Sequence, residues 1–383
     1  MRSTCRSRNE VKEVVRRKIL RPVMDQRRKM KKVDLHVHLD GAVRASTIWD
    51  VGKRRNMSLP GSSVEELQEH LTITDRGSLT EFLAVFAIHM PVICGDLEAI
   101  ERVAYEFCED CSNDNIIYCE ARYCPHLLAN DMENPFYADT KGNVSPLEVV
   151  KAVNRGLKKG CVDFNIKVKT ILCCMRERPE WAQEILDLCL KFKDQGVVAI
   201  DLAGDENLDL KDIKSHDEHL RVFQEAEWLG LSRTVHAGEN GPAEIVREAV
   251  YDMHAQRLGH GYHVLDDETL YKAVREKGVH FEACPVSSHM TGSVSTDWTK
   301  HPILRFARDG VNFSVNTDDP LLIGGFLSSE YETCTEKIGL SLEQIRNANL
   351  NAARATFLPE DEKQSLLKQL QEDYEKSDSS QGD

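Results

Sequence analysis

The segment VDLHVHLDG at residues 33–41 joins a short, mostly apolar run to two histidines, His36 and His38. In a β-strand, side chains two residues apart point to the same face, so these two imidazoles would converge on one point. Histidine is the most frequent metal ligand but is also common in polar strands. The pair alone is therefore compatible with either interpretation.

Three further polar clusters also come directly after β-like runs. They are His236-Ala-Gly-Glu239, Gly259-His260-Gly261 and Asn316-Thr-Asp318-Asp319-Pro320. Active sites of (β/α)8 barrels lie at the carboxyl ends of the strands. Four such strand ends together favour a metal-dependent active site over a polar surface.

Eight β-like runs alternate with stretches that have helical spacing of apolar residues. The runs are Val33–His38, Ile116–Arg122, Val168–Met175, Val197–Ala203, Arg233–His236, Gln256–Gly259, His280–Cys284 and Asn312–Asn316. This alternation predicts an α/β protein, a (β/α)8 TIM barrel, over residues 33–362.

Residues 41–97 are too long for one strand-to-helix connection and predict a helical insertion over the barrel mouth. Within it Leu79, Phe82, Leu83 and Phe86 repeat at intervals of three and four, which gives one apolar helix face. The residues alone favour core packing for this face over a substrate lid. At the other end, residues 363–383 are predicted to be the end of a polar helix, Pro359–Tyr374, and a disordered tail, Glu375–Asp383.

Charge is unevenly distributed along the chain. Residues 1–32 contain thirteen Lys or Arg against three acidic residues, a net charge of +10. Since the whole chain has a net charge of −14, residues 33–383 have a net charge of −24. An acidic body disfavours nucleic acid and membrane phosphates as partners. We expect the basic leader to be a disordered extension, with a targeting peptide or a binding arm as alternatives.

The 383-residue chain has 29% charged and 41% hydrophobic residues, which is typical of a globular enzyme. No apolar stretch is long enough to predict a membrane span. Twelve scattered cysteines, several inside apolar runs, favour a reducing, cytoplasmic location over disulfides. The lone Cys108-x-x-Cys111 has no second pair, so we interpret it as incidental.

The clusters supply a donor set for one metal ion. We predict His36, His38, His236 and Asp318 as ligands, because three imidazoles and one carboxylate suit zinc, with iron or cobalt(II) as alternatives. A zinc ion in such a site lowers the pKa of a bound water to about 7. The predicted chemistry is therefore hydrolysis.

Three more side chains are predicted to act beside the metal. Glu239 could donate a proton to a substrate, His260 could orient the attacking water, and Asp318 could accept its proton. Asp319 is a candidate for hydrogen bonding to substrate. Taken singly, His260 and Asp319 could instead be turn or helix-capping residues, and Glu239 a solvated loop acid.

These motifs resemble the adenosine deaminase family of animals, over roughly residues 32–362. The residues that carry the resemblance are His36-Val-His-Leu-Asp-Gly41, Tyr123-Cys-Pro-His-Leu-Leu-Ala-Asn130, Ile171-Leu-Cys-Cys-Met-Arg176, Asp201–Glu206, His236-Ala-Gly-Glu239, Leu258-Gly-His-Gly-Tyr-His263 and Asn316-Thr-Asp-Asp-Pro320. The resemblance implies a zinc-dependent hydrolase with one Zn²⁺ per chain. It would convert adenosine or 2′-deoxyadenosine to the inosine nucleoside and ammonia, in purine salvage and nucleoside catabolism.

By position in the family, Glu239 would protonate purine N1, and His260 would assist attack of water at C6. The resemblance also implies that Asp319 faces N7, that the Gly204 N–H faces N3, and that Asp40 binds the ribose 5′-hydroxyl near His38. The resemblance further implies that the apolar helix face forms a substrate lid rather than part of the core, and this assignment rests on the family alone. The residues of that lid are Leu79, Phe82, Leu83 and Phe86.

Other classes of protein fit the residues less well. Cytidine-deaminase-type enzymes use His-x-Glu and Pro-Cys-x-x-Cys, whereas here Glu239 follows His236 by three residues and Cys284-Pro285 has the reverse order with no second Cys. No Lys ends the fourth strand to bridge two metals. Deaminases of N6-modified AMP or of adenine remain alternatives, although Asp40 would repel a 5′-phosphate. A catalytically silent binding protein is a weaker alternative, since no ligand is lost. We expect a monomer and have no basis for naming protein partners.

Overall fold

Eight parallel strands form the centre of the molecule, in a computed structural model that describes residues 27–206 and 213–379. They follow one another around the sheet in chain order. The strands are β1 Lys32–His38, β2 Ile116–Tyr123, β3 Lys167–Met175, β4 Val197–Ala203, β5 Ser232–Ala237, β6 Arg257–His260, β7 His280–Ala283 and β8 Phe313–Val315. Every bound lies within one residue of its predicted position.

The sheet nearly closes on itself, because the chain after β8 returns to β1. Val37 and Asp318 form an isolated parallel bridge. In it the His38 N–H donates to the Asp318 carbonyl at 2.7 Å, and the Asp318 N–H donates to the His36 carbonyl at 2.8 Å. The predicted (β/α)8 barrel is confirmed, and its closing contact lies among the predicted metal ligands.

Helices connect the strands and surround the barrel. They are α1 Ala45–Arg54, α2 Val64–Leu71, α3 Leu79–Ala84, α4 Phe86–Ile93, α5 Leu97–Asn113, α6 Pro125–Leu128, α7 Pro146–Asp163, α8 Ala182–Phe192, α9 Ile213–Trp228, α10 Ala243–Tyr251, α11 Glu268–Lys277, α12 Pro285–Met290, α13 Pro302–Asp309, α14 Pro320–Ile323, α15 Leu327–Thr333, α16 Leu342–Ala355 and α17 Glu360–Ser379. In the described part of the chain, no single helix could cross a membrane. One sharply bent pair, Leu79–Ile93 with Leu97–Asn113, meets the requirement by length and composition only.

Helices α1 to α4 occupy the segment predicted as an insertion. Its middle is bonded to the loops after β7 and β8, since Arg76 Nη2 donates to the Gly292 carbonyl at 2.9 Å and the Ile73 N–H donates to the Leu322 carbonyl at 2.8 Å. The predicted apolar face is divided between two helices, because α3 ends at Ala84 and α4 begins at Phe86.

The last residues of the basic leader belong to the barrel rather than to an extension. Arg27 and Met30 are buried. Arg27 Nη2 pairs with Glu336 Oε1 at 3.1 Å, which attaches this segment to the chain after α15. The ordered chain thus begins before the predicted boundary at residue 32. Residues 1–26 lie outside the described residues.

The C-terminal helix is longer than predicted. Helix α17 continues to Ser379, whereas the sequence predicts a tail that begins at residue 375. Apolar residues such as Leu370 and Tyr374 are buried against the barrel. Near the end of the helix, Arg346 Nη2 pairs with Asp378 Oδ1 at 2.8 Å. Tertiary packing therefore extends a helix whose polar composition alone predicts disorder. The predicted tail beyond Ser379 lies outside the described residues.

Asn349 on α16 connects the start of β1 to the C-terminal helix. Its Oδ1 accepts from the Val33 N–H at 2.9 Å, and its Nδ2 donates to the Lys31 carbonyl at 2.8 Å and to the Tyr374 hydroxyl at 2.6 Å. The side chain is 1% exposed. Removing it would leave buried polar groups without partners.

We expect Asn349→Ala to lower the free energy of unfolding by about 2 kcal/mol, because the lost hydrogen bonds leave buried backbone groups unsatisfied. Urea denaturation followed by circular dichroism measures this change. Asn347→Ala, at an exposed position of the same helix, is the matched control. Equal midpoints for the two variants would contradict the assignment.

Candidate active site

Three histidines and one aspartate meet at the carboxyl end of the barrel. Nε2 of His38 lies 3.3 Å from Nε2 of His236 and 3.4 Å from Oδ1 of Asp318. Nε2 of His36 lies 3.3 Å from the same aspartate oxygen. Strands β1, β5 and the end of β8 thus bring all four predicted metal ligands together.

Two buried carboxylates hold the outer nitrogens of these histidines. Nδ1 of His36 lies 2.8 Å from Glu282 Oε2, and Nδ1 of His236 lies 3.0 Å from Asp201 Oδ2. Arg122 joins the two acids, with Nη1 3.0 Å from Asp201 Oδ2 and Nη2 2.6 Å from Glu282 Oε2. Because each Nδ1 is engaged, each Nε2 is directed toward the centre of the cluster.

Burial sets the protonation of this cluster. Burial lowers the pKa of His36 and takes that of His38 well below its ordinary value, which keeps these rings neutral, as ligands must be. Burial also acts to lower the pKa of His236, but the adjacent Asp201 carboxylate more than offsets it, so the pKa is raised. Burial acts to raise the pKa of Asp318, yet the neighbouring histidines hold it well below its usual range.

The donor set fits a zinc ion. Nε2 of His36 is buried and makes no hydrogen bond of regular geometry, although Asp318 Oδ1 lies near it. A buried nitrogen in this state, facing two further imidazoles and a carboxylate, suits a zinc ion held by four protein donors, to which a water would add as a fifth ligand.

Two site residues adopt a backbone conformation that is rare outside glycine. The φ angle is 70° at Asp318 and 62° at His260. Such positions cost on the order of 1–3 kcal/mol each and persist only where the surrounding structure holds them. At Asp318 the holding contacts are the two hydrogen bonds that close the barrel. The strain directs both side chains into the same space.

The two oxygens of Asp318 face different groups. Oδ1 lies beside His36 and His38, whereas Oδ2 lies 3.8 Å from Nε2 of His260. One carboxylate can therefore bind a metal through one oxygen and exchange a proton through the other. The double role predicted for Asp318 requires its two oxygens to be placed in this way.

Glu239 is buried beside the metal cluster as a candidate proton donor. Burial raises its pKa, with the Asp318 charge adding to the shift. Its Oε1 accepts from the Thr291 hydroxyl at 2.9 Å, and its Oε2 lies 3.5 Å from Nε2 of His260. Since Oε1 is occupied as an acceptor, Oε2 is the oxygen available to carry a proton into the cavity.

Glu206 holds the turn that presents Glu239. Its carboxylate accepts from the backbone N–H groups of Gly238, Asn240 and Gly241 at 2.9, 2.8 and 2.7 Å. The turn after β5 is thereby fixed from both sides of Glu239. Glu206 stands in a motif that carries the family resemblance, but its role is not evident from the sequence.

Asp40 and Asp319 are buried acids with an unpartnered oxygen each. Burial raises the pKa of Asp40 to about 7. Burial, together with the charges of Asp318 and Asp40, raises the pKa of Asp319 well above its ordinary value. A Cβ at Gly41 would overlap the Asp319 carboxyl, so only glycine fits there. Both acids are free to bind a ligand.

A cavity of about 400 Å³ connects these groups. The predicted residues His38, Asp40, Glu239, His260, Asp318 and Asp319 line it, as do Gly204 and all four residues of the predicted lid, Leu79, Phe82, Leu83 and Phe86. The lid residues are also mostly buried. This apolar face therefore both packs into the protein interior and lines the cavity.

Several lining residues and supporting groups are absent from the prediction. They include Cys124, Phe136, Tyr137, Glu177, Cys284 and Thr291, with Arg122, Asp201 and Glu282 behind the histidines. The available signal was a charged residue inside a strand predicted to be buried, and it is clear only for Asp201 in the apolar strand β4. The loop residues carry no periodic signal.

The profile of the adenosine deaminase family matches residues 31–373. Adenosine deaminase of Danio rerio is 50% identical over 344 residues, which cover 90% of this chain and 95% of the relative. The chain belongs to the adenosine deaminase family. Adenosine deaminase of Bos taurus is 47% identical over 90% of this chain and 94% of the relative. That of the bacterium Serratia proteamaculans is 37% identical over 87% of this chain and 96% of the relative.

Solved structures share the barrel of this family member. A zinc-bound amidohydrolase from Burkholderia ambifaria has a TM-score of 0.82 at 22% identity and covers 94% of each chain. An N6-methyl-AMP deaminase from Arabidopsis thaliana has a TM-score of 0.74 at 24% identity, covering 91% of this chain and 98% of that one. At these identities the likeness shows the fold alone.

We expect Asp201→Asn to weaken zinc binding by about 10-fold to 100-fold, because His236 loses the carboxylate that orients its ring. Competition with a chromogenic chelator measures the affinity without reference to activity. Asp187→Asn, at an exposed position on α8, is the matched control. Equal zinc affinity in the two variants would show that Asp201 does not support the site.

Proposed function

We propose that this chain hydrolyses the 6-amino group of adenosine and 2′-deoxyadenosine, releasing ammonia and the inosine nucleoside. Membership in the adenosine deaminase family supports this reaction. The observation that carries it is Glu239, a buried carboxyl with a raised pKa beside the metal donors, His260 and the cavity. Hydrolytic deamination of a purine needs such an acid at the ring nitrogen next to the reacting carbon.

His36, His38, His236 and Asp318 would hold the family's zinc ion. When bound, zinc lowers the pKa of water toward neutrality and so supplies a nucleophile at physiological pH. Glu282 and Asp201 keep the outer nitrogens of His36 and His236 engaged, which fixes the ring orientations. The protein thus prepares the donors before substrate enters.

Glu239 would donate its proton from Oε2 to purine N1. Attack at C6 disrupts the aromatic ring and would leave negative charge on N1, and protonation makes this nitrogen neutral. Thr291 supports the orientation by donating to Oε1. A carboxyl held in this way contributes to the transition state rather than to substrate binding.

His260 and Asp318 would manage the proton of the attacking water. Nε2 of His260 lies 3.8 Å from Asp318 Oδ2, so a proton released by the water can pass to the carboxylate and then to the departing amino group. The imidazole also stabilises charge that develops on the attacking oxygen. The amino group leaves as neutral ammonia, and the remaining proton of the 6-hydroxyl returns to Glu239 as the C6 carbonyl forms, which restores the acid.

Asp319, Gly204 and Asp40 would position the nucleoside. Purine N7 is an acceptor, and the raised pKa of Asp319 favours the protonated form that can donate to it. The Gly204 N–H would donate to N3, and Asp40 would bind the ribose 5′-hydroxyl. The lid residues, Leu79, Phe82, Leu83 and Phe86, would cover the sugar.

We expect Glu239→Gln to lower kcat by about 10²-fold to 10⁴-fold while KM changes little, because the amide cannot supply the acidic proton. Steady-state assays of ammonia release, with zinc content measured in parallel, test this. Glu244→Gln at the exposed start of α10 is the control. Near-full turnover by the zinc-loaded Glu239 variant would overturn the proton-donor role.

Deaminases of adenine and of N6-methyl-AMP share the fold, so the substrate class needs a direct test. We expect adenosine to be turned over at least about 10-fold faster than its 5′-monophosphate, because a carboxylate near the 5′ position repels phosphate. Adenosine, the monophosphate, N6-methyl-AMP and adenine are assayed in parallel for amine release. Preferential turnover of a phosphorylated substrate, or no turnover at all, would refute the proposal.

We further propose that the enzyme acts as a monomer in the cytoplasm. The donors, the candidate acid and the cavity are complete within one chain, so a single copy would be sufficient for activity. The cysteines in the described part of the chain are all free thiols, which suits a reducing compartment. Sedimentation of the purified protein and localisation of a tagged copy test the two statements separately.

A further inference from the structure

Glu177, in the loop after β3, lines the cavity with a carboxylate that has one unpartnered oxygen. Its Oε2 is buried without a hydrogen-bond partner, and the residue lines the cavity wall. Neither flanking arginine pairs with it. Arg176 Nη2 donates to the His236 carbonyl at 2.5 Å, and Arg178 Nη1 lies 3.7 Å from Glu180 Oε1. Oε2 is therefore available to a ligand.

Two neighbours define where Glu177 lies in the cavity. A Cβ at Gly204 would clash with Glu177 Oε2, so the carboxylate lies directly against that glycine. After burial, the charges of Asp40 and Glu177 both raise the pKa of Tyr137. Glu177 thus lies against the glycine proposed to face purine N3, and it shares the neighbour Tyr137 with Asp40.

The chemistry of a nucleoside says which group would meet this carboxylate. Purine N3 lies on the minor-groove edge of the base, and the ribose 2′-hydroxyl is displayed on that same side. A ligand whose N3 faces Gly204 therefore brings its 2′-hydroxyl toward Glu177. Asp40 remains for the 5′-hydroxyl.

We propose that Glu177 binds the ribose 2′-hydroxyl and makes the enzyme prefer adenosine to 2′-deoxyadenosine. This inference rests on the proposed function and adds a specificity-determining residue to it. The hydroxyl donates to Oε2, an acceptor that otherwise stays desolvated without a partner. When the substrate lacks this hydroxyl, Oε2 stays buried without a hydrogen bond, and the free-energy cost of that buried acceptor weakens binding of the 2′-deoxy substrate.

The test compares kcat/KM for adenosine, 2′-deoxyadenosine and 3′-deoxyadenosine in wild type, Glu177→Ala and Glu177→Gln. Wild type should prefer adenosine to the 2′-deoxy substrate by about 10-fold to 100-fold. Glu177→Ala should reduce this ratio to near one, mainly through KM for adenosine, and Glu177→Gln should give an intermediate ratio. Glu180→Ala, which removes an exposed acid three residues away, should keep the wild-type ratio.

Three results would overturn the inference. The first is a wild-type ratio near one, and the second is a ratio that does not change in Glu177→Ala. The third is a change confined to the 3′-deoxy substrate, which would assign the contact to the wrong hydroxyl. In each case adenosine turnover by wild type leaves the proposed function intact. Absence of turnover with every nucleoside would refute the proposed function and this inference with it.

Discussion

The buried charge web of Arg122, Asp201 and Glu282 is the constraint on which the active site depends. All three side chains are fully buried, and removing such charges from water is costly unless each finds a partner. Here the guanidinium joins the two carboxylates, and each carboxylate also holds one imidazole, His36 or His236. Strands β2, β4 and β7 supply the three charged residues, and strands β1 and β5 supply the two histidines. The orientation of the metal donors is therefore a property of the whole barrel rather than of any one loop.

The buried acids around the cavity have pKa values shifted in opposite directions, because their charged neighbours differ. Asp318 remains an anion because histidines surround it, whereas Glu239 and Asp319 face other acids and have raised pKa values. Adjacent residues 318 and 319 thus hold different protonation states within one site. That separation is what a hydrolase needs when one carboxylate must bind cations and another must donate a proton.

Much of the architecture could be predicted because the signals are local. Both bounds of strand β4, Val197–Ala203, were predicted correctly from its apolar run. The spacing of two between His36 and His38 predicted that their side chains lie on the same face of a strand. Polar clusters at strand ends predicted the rest of the donor set, since parallel strands end at a common edge. Helix α17 shows the limit of this reasoning. Its polar composition predicts a tail from residue 375, but contacts with the barrel keep it helical to Ser379.

The sequence by itself determined the order of strands and helices, the donor types and the family, because periodicity and motif spacing are properties of the chain. Only the tertiary structure decided which distant groups meet. Thr291 reaches Glu239 across 52 positions of sequence, and Glu177 comes to lie against Gly204. These contacts join separate strand-to-helix loops, and their geometry follows from barrel closure and side-chain packing. No repeating pattern along the chain encodes such distances, so the partners of the catalytic acid and the wall of the cavity appear only in the folded molecule.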